Sequence, residues 1–128
     1  MKVISYRDLI VWQSAMQLAE DTYKLCARFP RSERFGLGAQ LQRCAVSVPL
    51  NIAEGQARGS TRDYLRFLSI ARGSAAEVET QLLLAQRLGY VAGTDASPLL
   101  DRVAGVAKML RGLQHRLRQR LGEEGVRS

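Results

Sequence analysis

The sequence has few of the residues that form disulfide bonds, metal centres and catalytic sites, with two cysteines and one histidine among 128 residues. It also has only three prolines. Two distant cysteines and one histidine cannot supply the tetrahedral ligand set of a structural zinc site. No apolar run approaches the roughly 20 residues of a membrane-spanning helix. The segment from Met1 to Arg7 lacks the apolar core of a secretory signal. We therefore expect a cytoplasmic protein with no metal, no cofactor and no membrane contact.

The two cysteines, Cys26 and Cys44, fall on the apolar stripes of two different predicted helices. A thiol in such a position packs as a small apolar side chain. A disulfide between them is conceivable, but a reducing compartment disfavours it. We therefore expect both cysteines to be reduced core residues.

Acidic residues are scarce beside basic ones, and lysine is scarce beside arginine. The chain has 12 Asp and Glu against 19 Lys and Arg, a net charge of +7, and 16 of the 19 basic residues are arginines. The guanidinium fork matches phosphate oxygens in pairs and stacks on bases, so this composition favours a polyanionic partner. The alternative is a solvated basic surface in a protein from a GC-rich genome, whose codons favour arginine. Composition alone does not separate the two.

What the sequence does contain is four helical patterns separated by three loops. Apolar side chains recur at spacings of three and four, which is typical of one helix face. Pro30 ends the first helix, because the residue before a proline avoids the helical region. Pro49 is expected to kink the second helix, and Pro98 is expected in the first turn of the fourth, after Ser97 as its N-cap. The predicted helices cover residues 7–28, 35–58, 61–88 and 98–121, with a frayed tail over residues 122–128.

Helices of this length, joined by short loops, pack as antiparallel neighbours. A chain of 128 residues also suits one domain. We therefore predict an all-α fold, a single antiparallel up-down-up-down four-helix bundle. The expected core stripe of the first helix is Trp12, Ala15, Met16, Ala19, Tyr23 and Cys26, widened by Val11, Leu18 and Leu25. The expected stripe of the third helix is Tyr64, Leu68, Ala71, Ala75, Val78, Leu82 and Ala85.

The third helix has more apolar surface than a four-helix bundle requires. Its polar strip is narrow, and an apolar arc this wide indicates burial against something beyond the neighbouring helices. We therefore favour a homo-oligomer. The alternative is a helix deeply embedded within one chain. The candidates for the subunit interface are Phe67, Ile70, Ser74, Gln81, Leu84 and Leu88.

Positive charge is concentrated in the fourth helix. Between Arg102 and Arg120 there are six basic side chains and one histidine but no acid. Such a local excess is typical of a surface that follows phosphates, and the lack of aromatic residues there favours salt-sensitive backbone contact over base recognition. The alternative is a solvated or protein-contacting face, since cations are also stabilising near a helix C-terminus. The nucleic-acid-binding candidates are Arg62, Arg66, Arg102, Lys108, Arg111, His115, Arg116, Arg118 and Arg120.

His115 is the only histidine, and its surroundings do not support acid–base catalysis. No acid lies at helical spacing to orient the imidazole. Some helical-bundle ribonucleases combine an arginine with a histidine at a longer spacing than that of Arg111 and His115. Glu77 and Glu79 point to different sides of their helix and form no carboxylate pair. We therefore expect no catalytic residue, and a ribonuclease is the least favoured alternative.

One long pattern resembles a known family. The segment Asn51-Ile52-Ala53-Glu54-Gly55 is followed by Arg58, Tyr64, Phe67-Leu68, Ala71, Gly73-Ser74, Glu77 and Thr80-Gln81. With Tyr6-Arg7-Asp8-Leu9 before it and Leu88-Gly89-Tyr90 after it, the pattern resembles the bacterial four-helix-bundle proteins encoded within intervening sequences of 23S ribosomal RNA genes. The positions that match the family motif are Asn51, Glu54, Gly55, Gly73, Ser74, Glu77 and Gln81. We expect them to serve bundle geometry and subunit contact.

The resemblance implies a ring-shaped homopentamer. It also implies kinship with the accessory variability proteins of diversity-generating retroelements, which bind nucleic acid and a reverse transcriptase. Our leading hypothesis is a non-enzymatic homopentamer that holds the backbone of RNA or DNA, together with a protein partner such as a reverse transcriptase. The alternative from a different class is a protein–protein scaffold with no nucleic-acid role.

Overall fold

The computed structural model describes residues 5–127, with side chains described through residue 123. Its long helices are α1 (Ile10–Cys26), α2 (Leu37–Ala57), α3 (Thr61–Arg87) and α4 (Gly93–Arg127), with short 3-10 turns at Tyr6–Asp8 and Arg31–Glu33. Within this range there is no β-strand. Each helix packs against its neighbours in the chain, and α4 closes against α1, whereas the backbones of the diagonal pairs lie farther apart. The predicted all-α, up-down-up-down bundle is confirmed.

The core follows the predicted stripe most closely in α3. Six of its seven stripe residues are buried, from Leu68 to Ala85, and Tyr64 is half-buried. Ser60 caps the N-terminus of α3, where its Oγ accepts a hydrogen bond from the Asp63 backbone N–H at 3.1 Å. At the other end Gly89 has φ +75°, and the Tyr90 N–H donates to the Ala85 carbonyl at 2.9 Å. This left-handed glycine ends the helix, as the sequence indicated.

In α1 the predicted stripe is displaced to one side. Met16 and Tyr23 were expected in the core but are 46% and 50% exposed. The buried side of α1 is centred instead on Leu18 and Leu25. Thr22 lies between them, and its hydroxyl donates a hydrogen bond to the Leu18 carbonyl at 2.7 Å. The apolar arc of α1 is broad enough for either face to pack, and the positions of α2 and α4 select one.

Both ends of α4 differ from the prediction. The helix begins at Gly93, so Pro98 lies inside it and Ser97 is not its N-cap. The early start is stabilised by burial of Ala96 and by an ion pair of 2.9 Å between Asp95 and Arg28 at the end of α1. The C-terminal half continues through Gly122 to Arg127, so the predicted frayed tail is helical and only its last position, 128, lies outside the described residues.

Gly55 allows α2 and α3 to approach closely. A Cβ atom at this position would lie 2.8 Å from the Phe67 Cβ and 3.3 Å from the Tyr64 carbonyl oxygen. Real Cβ atoms essentially never come as close as the first of these distances, so any larger residue would push the two backbones apart. The family motif therefore has a steric reason at this position. Among the helices of the described range, none is long and apolar enough to cross a membrane.

Candidate nucleic-acid interface

The register of α3 against α4 is fixed by a polar contact in their interface. The fully buried Gln114 donates to the Ser69 Oγ at 2.9 Å and accepts from the Arg72 Nη1 at 2.9 Å. Because the two helices are antiparallel, the first half of α3 then runs beside the second half of α4. Residues 61–74 and 111–123 together contain seven arginines and two acids. The fold therefore adds the arginines of α3 to those of α4 at one end of the bundle.

Most of the predicted nucleic-acid-binding side chains at this end are exposed. Their charged groups lie more than 4.0 Å from any described carboxylate, except for Arg66, whose Nη2 is 3.8 Å from the Asp63 Oδ1. Unpaired guanidinium groups at a surface are available to bind anions. We call the side chains of this region the basic end; they are Arg62, Arg66, Arg111, Arg116, Arg118 and Arg120. Lys108 and His115 are also exposed, on the same helix.

Arg102 does not belong to this surface. Its Nε lies 3.8 Å from the Asp21 Oδ2, and its Nη1 donates to the Ser14 Oγ at 3.2 Å. The side chain is half-buried between α4 and α1. Arg102 therefore joins two helices and is not part of the basic end.

The charges of two arginines of the basic end affect the pKa of the half-buried Tyr64. Burial raises the pKa of Tyr64, and the positive charges of Arg116 and Arg120 oppose that rise. The Tyr64 hydroxyl has no hydrogen-bond partner among the described residues. Nearby, the Phe67 ring lies beneath two guanidinium groups, 5.0 Å from Arg58 and 4.7 Å from Arg66. Phe67, predicted at a subunit interface, is thus half-covered by arginines of its own chain.

Most family-motif positions lie between α2 and α3. Ser74 is buried, with its Oγ 2.8 Å from the Ser47 Oγ, which also accepts from the Asn51 Nδ2 at 2.9 Å. The Gln81 Nε2 donates to the Cys44 Sγ at 3.2 Å, and that thiol donates to Glu77 at 3.6 Å. Ser74, predicted at a subunit interface, is thus largely covered by α2 of its own chain. Glu54 pairs with Arg58 at 3.1 Å along α2.

The remaining interface candidates do face outward. Ile70, Leu84 and Leu88 are 43%, 44% and 52% exposed on α3. A second apolar surface lies between α1 and α2, where a groove of about 510 Å³ is lined by Met16, Tyr23, Leu50 and neighbouring residues. This groove was not predicted from the sequence, because the spacing in α1 placed Met16 and Tyr23 in the expected core.

The two cysteines are free, as predicted, and both are half-buried. Burial raises the pKa of Cys26 from 9.0 to about 11. Burial also raises the pKa of Cys44, with a further rise from the charge of Glu77 and a partial offset from the Gln81 hydrogen bond. Neither thiol is activated as a nucleophile, since activation requires a lowered pKa.

We expect Cys26 to react with iodoacetamide about 100-fold more slowly than an unburied cysteine at pH 8, because the raised pKa leaves about that much less thiolate. The measurement is the alkylation rate of a Cys44→Ser variant, with glutathione as the reference. The protonated thiol is favoured by folding, so its contribution to stability is present below pH 9.0 and lost as the pH rises through about 11. A rate equal to that of glutathione at pH 8 would contradict the burial of this thiol.

No cluster of three or more His, Cys, Asp or Glu side chains within the described residues is placed to hold a metal ion. His115 is exposed, and the described residues include no hydrogen-bond partner for its ring. The arrangement at the basic end can attract and orient anions. A base, an orienting acid and a nucleophile within hydrogen-bonding reach, as acid–base and nucleophilic catalysis need, are not brought together there.

Comparison with known proteins agrees with this fold. A model of the family described as 23S rRNA-intervening sequence protein matches residues 7–112. A crystal structure of a protein of unknown function, from the S23 ribosomal protein family of Bacteroides thetaiotaomicron, is similar with a TM-score of 0.75 and 23% identity, covering 82% of this chain and 98% of that chain. At this identity the likeness shows the fold alone. No curated protein matches the sequence.

Proposed function

The chain belongs to the family of 23S rRNA-intervening sequence proteins, and we propose that it is a non-enzymatic protein whose basic end holds the phosphate backbone of RNA or DNA. The observation that carries the proposal is the convergence of exposed arginines from α3 and α4, most of them without a carboxylate partner. A nucleic-acid backbone presents a row of phosphates that such a surface can neutralise. The buried Gln114 contact supports the proposal, because it holds the two helices in the register that this surface needs.

The form of binding follows from the side chains available. Arginine and lysine dominate the exposed face of α4, and the aromatic rings nearest to the basic end, Tyr64 and Phe67, are half-buried. Stacking on successive bases needs exposed rings. We therefore propose contact with phosphates and sugars, with little preference for sequence.

The test is a salt series with fluorescently labelled RNA and DNA, each single-stranded and duplex, followed by anisotropy. Engagement of about four phosphates gives a slope of log affinity against log salt near −4 for duplex and near −3 for single strands. Absence of binding at about 50 mM salt, or an affinity indifferent to salt, would reject the proposal. An oligomer that binds none of these nucleic acids would favour the alternative of a protein–protein scaffold.

We further propose that the protein is a homo-oligomer, with the ring of five implied by the family resemblance as the expected form. The support is the exposed apolar surface of α3 together with the apolar groove between α1 and α2. These two surfaces lie on different faces, so a contact between them would be head-to-tail, the arrangement that generates closed rings.

Light scattering at micromolar concentration is expected to give about five times the 14.2 kDa of one chain. Replacing Leu84 and Leu88 with serine should lower that mass, because it removes exposed apolar area from α3 without touching the core. Replacing the solvent-facing Thr80 with serine is the matched control on the same helix. A wild-type mass of one chain would reject the oligomer while leaving nucleic-acid binding open to its own test.

A further inference from the structure

Arg72 is held in an unusual way for a half-buried cation. Its Nη1 donates to the Oε1 of Gln114, a neutral group that is itself fully buried. No described carboxylate lies within 4.0 Å of the Arg72 guanidinium, although charges removed from water are normally paired. One of its five N–H donors is used by Gln114, so most of the fork remains available. The side chain is therefore oriented but not neutralised.

A cavity of about 400 Å³ lies between α3 and α4, and Arg72 is among the residues that line it. Arg111 of the basic end also lines it, so two cations face one space. Ser69 contributes a hydroxyl: its Oγ accepts from the Gln114 Nε2, which leaves its own hydrogen free to donate. A volume of this size lies within the range of small-ligand sites. The lining combines two cations and a hydroxyl donor, which is the chemistry of an anion site.

Gly73 lines the same cavity, and nothing in the chain explains it sterically. A Cβ atom built at Gly73 would have no neighbour within 4 Å, in contrast to Gly55, where it would collide with α3. Glycine in the middle of a helix is destabilising relative to alanine. The folded chain therefore gains nothing from the missing side chain. A group that enters the cavity would gain room to approach the backbone of α3.

We propose that this α3–α4 cavity is a binding site for one phosphate group. The Arg72 fork contacts its oxygens, Arg111 adds charge, and the Ser69 hydroxyl donates a hydrogen bond. Gln114 is a positioning residue, because its Oε1 orients the Arg72 guanidinium and its Nε2 donates to the Ser69 hydroxyl. The inference rests on the proposed function in taking a nucleic-acid backbone as the source of the phosphate. A free phosphorylated ligand offers the same group, and the experiment separates the two sources.

Glu79 also lines the cavity and opposes an anion there. Its carboxylate lies more than 4.0 Å from any described cation, so its charge is not cancelled locally. Glu79→Gln should therefore strengthen phosphate binding by about threefold, whereas Glu20→Gln on α1 should not. An unchanged affinity for Glu79→Gln would count against this location for the phosphate.

The decisive comparison is between two glycines at which a Cβ atom would have no close neighbour. Gly73→Ala and Gly105→Ala each place a methyl group where no neighbour lies within 4 Å, but only Gly73 lines the cavity. Both should raise Tm by roughly 3–6 °C through helix propensity. Gly73→Ala alone should weaken RNA or DNA binding about tenfold, the loss of one phosphate contact. Equal affinities for the two variants would overturn the proposal.

A second pair of variants tests the guanidinium itself. Arg72→Lys keeps the charge but loses the planar fork, so we expect about fivefold weaker binding with little change in the salt slope. Arg87→Lys, at the far end of the same helix, is the matched control and should bind as wild type does. Circular dichroism and Tm confirm that each variant is folded. Unchanged binding by Arg72→Lys would show that only net charge matters there.

Failure of this inference is distinguishable from failure of the proposed function. If nucleic acid binds normally to wild type and to Gly73→Ala, the basic end functions but the cavity holds no phosphate. If nucleic acid does not bind, inorganic phosphate is titrated while Tm is followed. A rise in the Tm of the wild type that is lost in Arg72→Lys and Gly73→Ala would show that the cavity binds the phosphate of a free ligand. No rise in the Tm of the wild type would overturn the proposal. A change of oligomer mass in Gly73→Ala without a change in phosphate binding would also overturn it.

Discussion

Replacing Arg111, Arg116 and Arg118 together with glutamine is expected to lower the affinity for RNA or DNA by about 100- to 1,000-fold at physiological salt. All three side chains are exposed on the second half of α4, and none is within 4.0 Å of a described carboxylate. Each phosphate contact that is lost should reduce the slope of log affinity against log salt by about 1, so the slope should become shallower by about 3. Anisotropy over a salt series measures both quantities.

The matched control removes the same charge from the other end of the bundle. Arg31, Arg34 and Arg87 are exposed near the ends of α1, α2 and α3 that lie away from the basic end. Their triple replacement with glutamine lowers the net charge equally, and we expect an effect of less than about threefold, since screening weakens charges beyond about 8–10 Å. Equal losses in the two triple variants would show that binding depends on overall charge and not on this surface.

The second large effect concerns stability. Gly55→Val is expected to destabilise the fold by about 3 kcal/mol, because overpacking a close helix contact typically costs 1–3 kcal/mol and valine adds two methyl groups beyond the Cβ. The nearest atoms are the Phe67 Cβ at 2.8 Å, the Tyr64 ring Cδ1 at 3.1 Å and the Tyr64 backbone oxygen at 3.3 Å, and the first and third of these cannot rotate away. The two backbones must therefore separate, which also loosens the polar contacts of Ser74 and Asn51.

Urea unfolding at a fixed protein concentration gives the change, since the stability of an oligomer depends on concentration. Gly105→Val is the control, as a Cβ at Gly105 meets nothing within 4 Å. Valine is a slightly better helix former than glycine, so the control should be neutral or slightly stabilising. A similar shift of the midpoint in both variants would mean that the close approach at Gly55 is not what limits α2–α3 packing.

The parts of the fold that sequence reasoning predicted are those determined by local pattern. The four-three spacing from Leu68 to Ala85 and the left-handed Gly89 were both read correctly, because spacing and a missing Cβ act within one helix. The start of α4 was not predicted correctly, because the burial of Ala96 and the Asp95–Arg28 ion pair depend on residues outside this helix. A proline taken as a first-turn residue therefore lies well inside the helix.

The candidate site shows the same division. Clustering of arginines in α4 was visible in the sequence, whereas the roles of Arg102 and Arg72 were not, because each depends on a residue of another helix. One signal was available: Gln114 is polar at a position flanked by Leu113 and Leu117 of the core seam. A buried amide there indicates a partner across the interface. The reverse transcriptase partner and the ring of five stay predictions.

The α2–α3 interface and the basic end use different residues, and this separation affects how the protein can change. The polar contacts of Ser47, Asn51 and Ser74 and the close approach at Gly55 determine the geometry of the bundle. Arg111, Arg116, Arg118 and Arg120 of the basic end form none of the described ion pairs or hydrogen bonds between helices, in contrast to Arg102. We therefore expect substitutions along the exposed face of α4 to change the affinity of the proposed polyanion contact without loss of folding. We expect such a scaffold to accept a different surface charge through a few mutations of α4, which would make it a starting point for engineered binders.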